Sequence, residues 1–276
     1  MILAVLAFTV MVSLIKVARL ELSTFEVIFW RGLVSVPLTL GVARFRVRVR
    51  QHGRLAARLL LGFAAMLCYY GAAKGLAVGD LQVIWRLQPL AIAIVAPLLL
   101  GAAERPERHV WIVLTLGLLG CAIVIGPDLA VGSWWGLVAL GAVAFSGLSH
   151  TALRSLKEEH SGAVAFWFQL FATVLAGCIA WAVGLSVPPR ELLTVLLGIG
   201  LLSALGQWTM TIAYSRDRAA PVAAAAYVAP VFGFLIDFFA FGVPPSIQAL
   251  VGGTVVVGSG LYLLFKPGGS VGSEHA

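Results

Sequence analysis

The stretch from Asp80 to Gly101, DLQVIWRLQPLAIAIVAPLLLG, constrains this chain most. It is an apolar run of about the length that crosses a bilayer as a helix, yet its outer half carries Trp85, Arg86, Gln88 and Pro89. The pattern returns as PVAAAAYVAPVFGFLIDFFAFG, Pro221 to Gly242, where Pro89 falls on Pro230 and Gly101 on Gly242 at one offset. That register sets Arg86 opposite Tyr227. A second echo runs in the same order: VIFWRGLVSVPLTLG from Val27 matches VAFWFQLFATVLAGC from Val164, with Phe29-Trp30 on Phe166-Trp167. Two ordered echoes half a chain apart indicate an internal duplication with its boundary near Asp128 to Trp134. The expected units are 1–130 and 131–266, followed by a disordered tail over 267–276.

Hydrophobic residues make up 61% of the chain and charged residues 11%. A soluble domain with that balance would lack the polar residues to cover its surface. The net charge of +7 sits in short loops between apolar runs, which is the pattern of membrane orientation and not of a nucleic-acid groove. Cys68, Cys121 and Cys178 all lie in apolar runs and read as small core residues, not as disulfides or metal ligands. The first apolar run is read as a span and not as a cleaved signal.

Ten spans are expected, near 1–18, 24–42, 55–76, 79–101, 109–126, 134–153, 162–184, 191–214, 219–242 and 246–265. Helices satisfy the backbone inside lipid, so the fold class is an all-α polytopic membrane protein. Arg44, Arg46, Arg48, Arg50, Arg54, Arg58, Arg105, Arg108, Arg154, Lys157, Arg216, Arg218 and Lys266 are assigned to one side, thirteen in all, against Lys16, Arg19, Lys74 and Arg190 on the other. The positive-inside rule puts the thirteen, and both termini, in the cytoplasm of a cell with the protein in its cytoplasmic (inner) membrane. Five spans per unit is an odd number, so the second unit enters from the opposite face. The two five-helix repeats are inverted, an arrangement found in carriers whose site lies between the halves.

These features resemble the drug/metabolite transporter superfamily, EamA type, over essentially the whole length. The resemblance rests on ten short-looped spans in two five-span repeats and on Arg31 inside span two. It also rests on Pro89 after a small-residue helix start, and on Gly101 with Glu104-Arg105-Pro106 closing span four. The second repeat echoes the last motif as Gly242-Val243-Pro244-Pro245, with Val243 where the family often has Glu. Within the superfamily the chain is most similar to YddG-like amino-acid exporters. The resemblance implies that spans three, four, eight and nine surround a central cavity, with spans one and six beside them, so that His150 belongs to its lining.

Polar groups inside a span are expensive unless they face the bundle interior. Met66, Tyr70 and Lys74 share one face of span three, and Gln207, Thr211 and Ser215 share the equivalent face of span eight. Gln82, Trp85, Arg86 and Pro89 share a face of span four, and Ala223, Tyr227 and Pro230 one of span nine. The candidate solute-binding residues are therefore Tyr70, Lys74, Trp85, Arg86, Gln88, His150, Gln207, Trp208, Thr211 and Tyr227. Aromatic walls suit an apolar or aromatic solute, and Arg86 is able to hold a carboxylate through two parallel hydrogen bonds. A zwitterionic amino acid fits that inventory, moved outward by alternating access. The competing role of Arg86 is an ion pair at an outer gate with Asp237, since both lie roughly 8–10 Å deep at 1.5 Å rise per residue; Arg31 competes for the same acid. Trp134 and Trp135 read as interfacial belt residues, Trp30 and Trp167 as helix packing.

Almost no carboxylate other than Asp237 lies within a span, which favours facilitated transport over proton antiport. No cofactor and no metal is expected. The expected partners are a small solute and the bilayer, with no nucleic acid, and the protein is expected to be a monomer, a dimer being the alternative. Another metabolite on the same scaffold (a nucleoside, a sugar or a drug-like cation) is the alternative cargo. A membrane-embedded lipid enzyme is the rival class; the five histidines sit at no ligand spacing and HExxH, P-loop and CxxC motifs are absent from the sequence.

Overall fold

A computed structural model describes residues 1–72, 84–125, 134–229, 231–232, 235 and 247–265. Among these residues there are ten α-helices, two 3-10 turns and no strand. The helices are α1 (Ile2–Ala18), α2 (Thr24–Val42), α3 (His52–Ala72), α4 (Gln88–Leu100), α5 (Arg108–Ile125), α6 (Trp134–Ser155), α7 (Ser161–Val183), α8 (Arg190–Arg216), α9 (Ala219–Ala224) and α10 (Ile247–Phe265). Each falls within or close to one expected span.

Local chemistry explains several ends. Ser23 accepts from the Glu26 amide while the Glu26 carboxylate accepts from the Ser23 amide, a reciprocal cap that starts α2. Gly184 ends α7 at φ 112°, a left-handed conformation that a side chain would strain. Helices α2, α6, α7 and α8 are long and apolar enough to cross a membrane. Helix α3 is 21 residues long, but Arg54 and Arg58 in its first two turns dilute its apolar character.

Large apolar side chains point outward: Leu98 is 77% and Trp181 79% exposed. Small ones fill the inside, with Ala4, Ala96, Ala142, Ala163 and Ala176 fully buried. This inverts the soluble pattern. It fits a chain whose outside meets lipid and whose helices associate through close backbone approach. A Cβ on Gly32 of α2 would stand 2.0 Å from Thr173 Oγ1 of α7, one on Gly177 2.7 Å from the Phe29 ring, and one on Gly162 2.7 Å from Ala43 Cα. The start of α2 thus meets the end of α7 and the end of α2 meets its start. The two helices pack antiparallel.

Other helices pair across long stretches of sequence. Helix α1 packs on α8, α3 on α6, and α5 on α10. Two tryptophans repeat one contact. Trp30 makes an edge contact with Phe29 at 5.3 Å and donates its indole N–H to the Ser186 carbonyl at 3.2 Å. Trp167 makes the same contact with Phe166 at 5.5 Å and donates to the Val47 carbonyl at 2.8 Å. Trp30 of α2 thus reaches the loop after α7, and Trp167 of α7 the loop after α2.

Candidate functional site

Two helix interruptions lie side by side. Ile84 and Trp85 are helical, Arg86 and Leu87 form a turn, and α4 begins at Gln88 with Pro89 next. Proline has no N–H to lose at a helix start, so the break is stable there. Farther along the chain, α9 gives way to a 3-10 turn over Ala225–Val228. Such a turn inside a helical run often marks a functional hinge. The interruptions touch, because Arg86 Nη1 donates to the Ala226 carbonyl at 3.3 Å.

Beside them lies a polar cluster drawn from five helices. Gln88 Nε2 donates to Ser146 Oγ at 2.7 Å and lies 3.1 Å from His150 Nδ1. That nitrogen is also 2.8 Å from the Ser146 carbonyl, and the ring tilts against Tyr214 at 5.3 Å. Arg58 of α3 reaches the same cluster. Its Nη1 donates to Ser149 Oγ at 2.5 Å, and its Nη2 lies 3.5 Å from Gln207 Oε1. Its guanidinium sits 4.2 Å above the Phe168 ring, a cation–π contact. Arg58 is 3% exposed, Ser149 0% and Ser146 2%.

This corrects one expectation. Arg58 is not a loop charge; it is 3% exposed and buried within α3. The signal was present in the sequence, because Arg58 stands inside the expected 55–76 span just as Arg86 stands inside its own.

The structure places Gln88, His150 and Gln207 in this one cluster. It disperses other candidates. Trp85 packs edge-on against Tyr69 at 4.8 Å in an apolar cluster between α3 and α6. Tyr227 is 2% exposed in an apolar cluster with Ala93, Val113 and Leu114, its ring against Gly117. Thr211 donates back to the Gln207 carbonyl at 2.7 Å within its own helix. Trp208 is half-buried on α8. Arg31 donates to Ser203 Oγ at 2.8 Å, which Gln169 Nε2 also approaches at 2.7 Å. The side chain of Tyr70 lies outside the described residues, as do Lys74, Asp237 and the 243–245 motif.

One end of the bundle is tied by charge. Glu104 accepts from Arg154 Nε at 2.7 Å and from the Ala219 amide at 2.8 Å. Arg154 Nη1 also donates to the carbonyls of Tyr214 and Ser215, at 3.1 and 3.2 Å. Glu107 pairs with Arg218 at 2.8 Å. These contacts bind the loop after α4 to the ends of α6 and α8 and to the start of α9. At the other end Glu26 is held by Ser186, through the amide at 2.7 Å and through the hydroxyl.

A family model described as EamA-like transporter family matches residues 1–126 and 133–265. The chain is 28% identical over 264 residues to a pseudopaline exporter of Pseudomonas aeruginosa, covering 93% of this chain and 91% of that protein. It is 24% identical over 277 residues to a riboflavin transporter of Rhizobium johnstonii, covering 96% and 89%. A solved crystal structure superposes with a TM-score of 0.83 at 17% identity over 94% of both chains, a likeness of fold.

Proposed function

The chain belongs to the EamA-like transporter family, and from that premise we propose that it is a ten-span carrier whose two inverted five-helix repeats enclose one small solute and rock to expose it to either face in turn. The cluster of Gln88, Ser146, His150 and Gln207 carries this reading. It takes polar side chains from both halves and gathers them where an apolar chain has most reason to avoid them. Three further observations support the inversion: α2 and α7 pack antiparallel, Trp30 and Trp167 make equivalent reaches, and the paired helix interruptions touch. Interrupted helices at equivalent positions are the common setting of a carrier's solute site.

The solute we favour is an amino acid with an apolar or aromatic side chain, carried out of the cell across the cytoplasmic membrane. Backbone and amide groups such as Gln207 Oε1 serve its ammonium, and the aromatic faces of Phe168 and Tyr214 serve its side chain. The relatives named for pseudopaline and riboflavin carry other cargo, so neighbouring members of this scaffold differ in solute. Counterflow in proteoliposomes across amino acids, nucleosides and sugars tests the proposal. Saturable exchange of amino acids is expected. Exchange confined to nucleosides or sugars would replace the solute and keep the carrier, and unsaturating flux would replace the carrier with a channel.

A further inference from the structure

We propose that Arg58 is the binding group for the carboxylate of the transported solute, a role that rests on the carrier reading above. A guanidinium has five N–H donors. Among the described residues Arg58 meets two side-chain acceptors, Ser149 Oγ at 2.5 Å and Gln207 Oε1 at 3.5 Å, and its Nε has none. No carboxylate among the described residues lies within ion-pair distance of it.

A buried cation left without a counter-charge is costly. The ring of Phe168 offsets part of that cost and neutralises none of the charge. A solute carboxylate supplies what is missing. The edge formed by Nε and Nη2 presents two parallel donors, which match the two oxygens of a planar carboxylate. One of those donors is unused and the other is held only by the long contact to Gln207, so binding displaces little. Arg58 is also the only permanently charged side chain of the cluster among the described residues. One fixed positive charge balances one negative charge, which favours a carboxylate over a doubly charged phosphate. The contact that a carboxylate would replace is the long one from Arg58 Nη2 of α3 to Gln207 Oε1 of α8.

The site shifts the expected anchor from Arg86, whose Nη1 serves the Ala226 carbonyl, to Arg58. The test uses full-length protein in detergent and in proteoliposomes, with each amino acid paired with its primary amide as probes. Thermal shift reads binding and counterflow reads exchange, for wild type, Arg58→Gln and Arg58→Lys. In wild type the acid is expected to bind at least about tenfold more tightly than its amide. In Arg58→Gln the two are expected to bind within about twofold, and Arg58→Lys keeps an intermediate preference because a point charge replaces the fork. An acid preference that survives Arg58→Gln overturns the inference. So does a wild type that binds only amides and amines, even though the carrier reading then stands. If exchange fails for every solute while thermal shift retains the Arg58-dependent acid preference, the carrier reading falls and the anion site remains. If Arg58→Gln does not fold, Arg58→Lys carries the same comparison.

Discussion

Glu104 joins three elements through one carboxylate, accepting from Arg154 Nε and the Ala219 amide. Side chains of both partners are nearly buried, at 11% and 9% exposure for Arg154 and Glu104. Removing one member of such a pair leaves the other charge stranded, which typically costs 3–5 kcal/mol. Glu104→Ala and Arg154→Ala are each expected to destabilise the protein by about 3 kcal/mol. In a double-mutant cycle read by denaturation in detergent, the double variant is expected to cost at least about 1 kcal/mol less than the sum. Strict additivity would show that the pair is uncoupled. At this scale the sequence was partly legible. Gln88, His150 and Gln207 stand out as polar residues in apolar runs, and the structure gathers them. Arg58 was hidden because it follows a row of loop arginines, and what buries it, Ser149 and Gln207, comes from distant helices. Tyr227 and Trp85 misled for the converse reason. An aromatic on a predicted inner face packs equally well against a neighbouring helix, and only the glycine at position 117 shows that Tyr227 has a seat there.

Helix α2 carries an internal control for how these elements associate. A Cβ at Gly32 meets Thr173 at 2.0 Å, whereas one at Gly41 meets nothing within 4 Å. Gly32→Ala is therefore expected to push α2 from α7 at a cost of about 1–3 kcal/mol. Gly41→Ala should be neutral or stabilising by up to about 1 kcal/mol, since alanine is the better helix former. Thermal unfolding in one detergent compares them, and equal effects would contradict the close α2–α7 approach. The ends of these elements were readable because apolar runs stop at Gly, Pro or charge, as at Gly184 and Pro189-Arg190. The turn at Arg86 and Leu87 was not foreseen as a break. Pro89 marks it, but proline is also tolerated in a membrane helix when neighbours satisfy the backbone.

For the molecule as a whole the proposed inversion of the two repeats makes a simple demand on labelling. Phe45, in the loop after α2, is 76% exposed, and Val187, in the loop after α7, is 83% exposed. In a cysteine-free background Phe45→Cys is expected to react with an impermeant maleimide only from the cytoplasmic side, and Val187→Cys only from the other. Reaction of both from one side would remove the inversion. The two tryptophans, reaching loops at these opposite ends, are where such a reversal would first have been visible.

A guanidinium buried in the helix bundle with no counter-charge among the described residues also has an electrical meaning. Voltage acts on any charge that shifts across the membrane, by about 2.3 kcal/mol per elementary charge per 100 mV for a full crossing. If Arg58 lies deeper in one state than in the other, the protein carries a positive gating charge both empty and loaded, because a zwitterionic amino acid brings no net charge. Both the loaded step and the unloaded return step would then feel the resting potential. Turnover measured under a potassium–valinomycin clamp is expected to depend on voltage in wild type and to lose that dependence in Arg58→Gln.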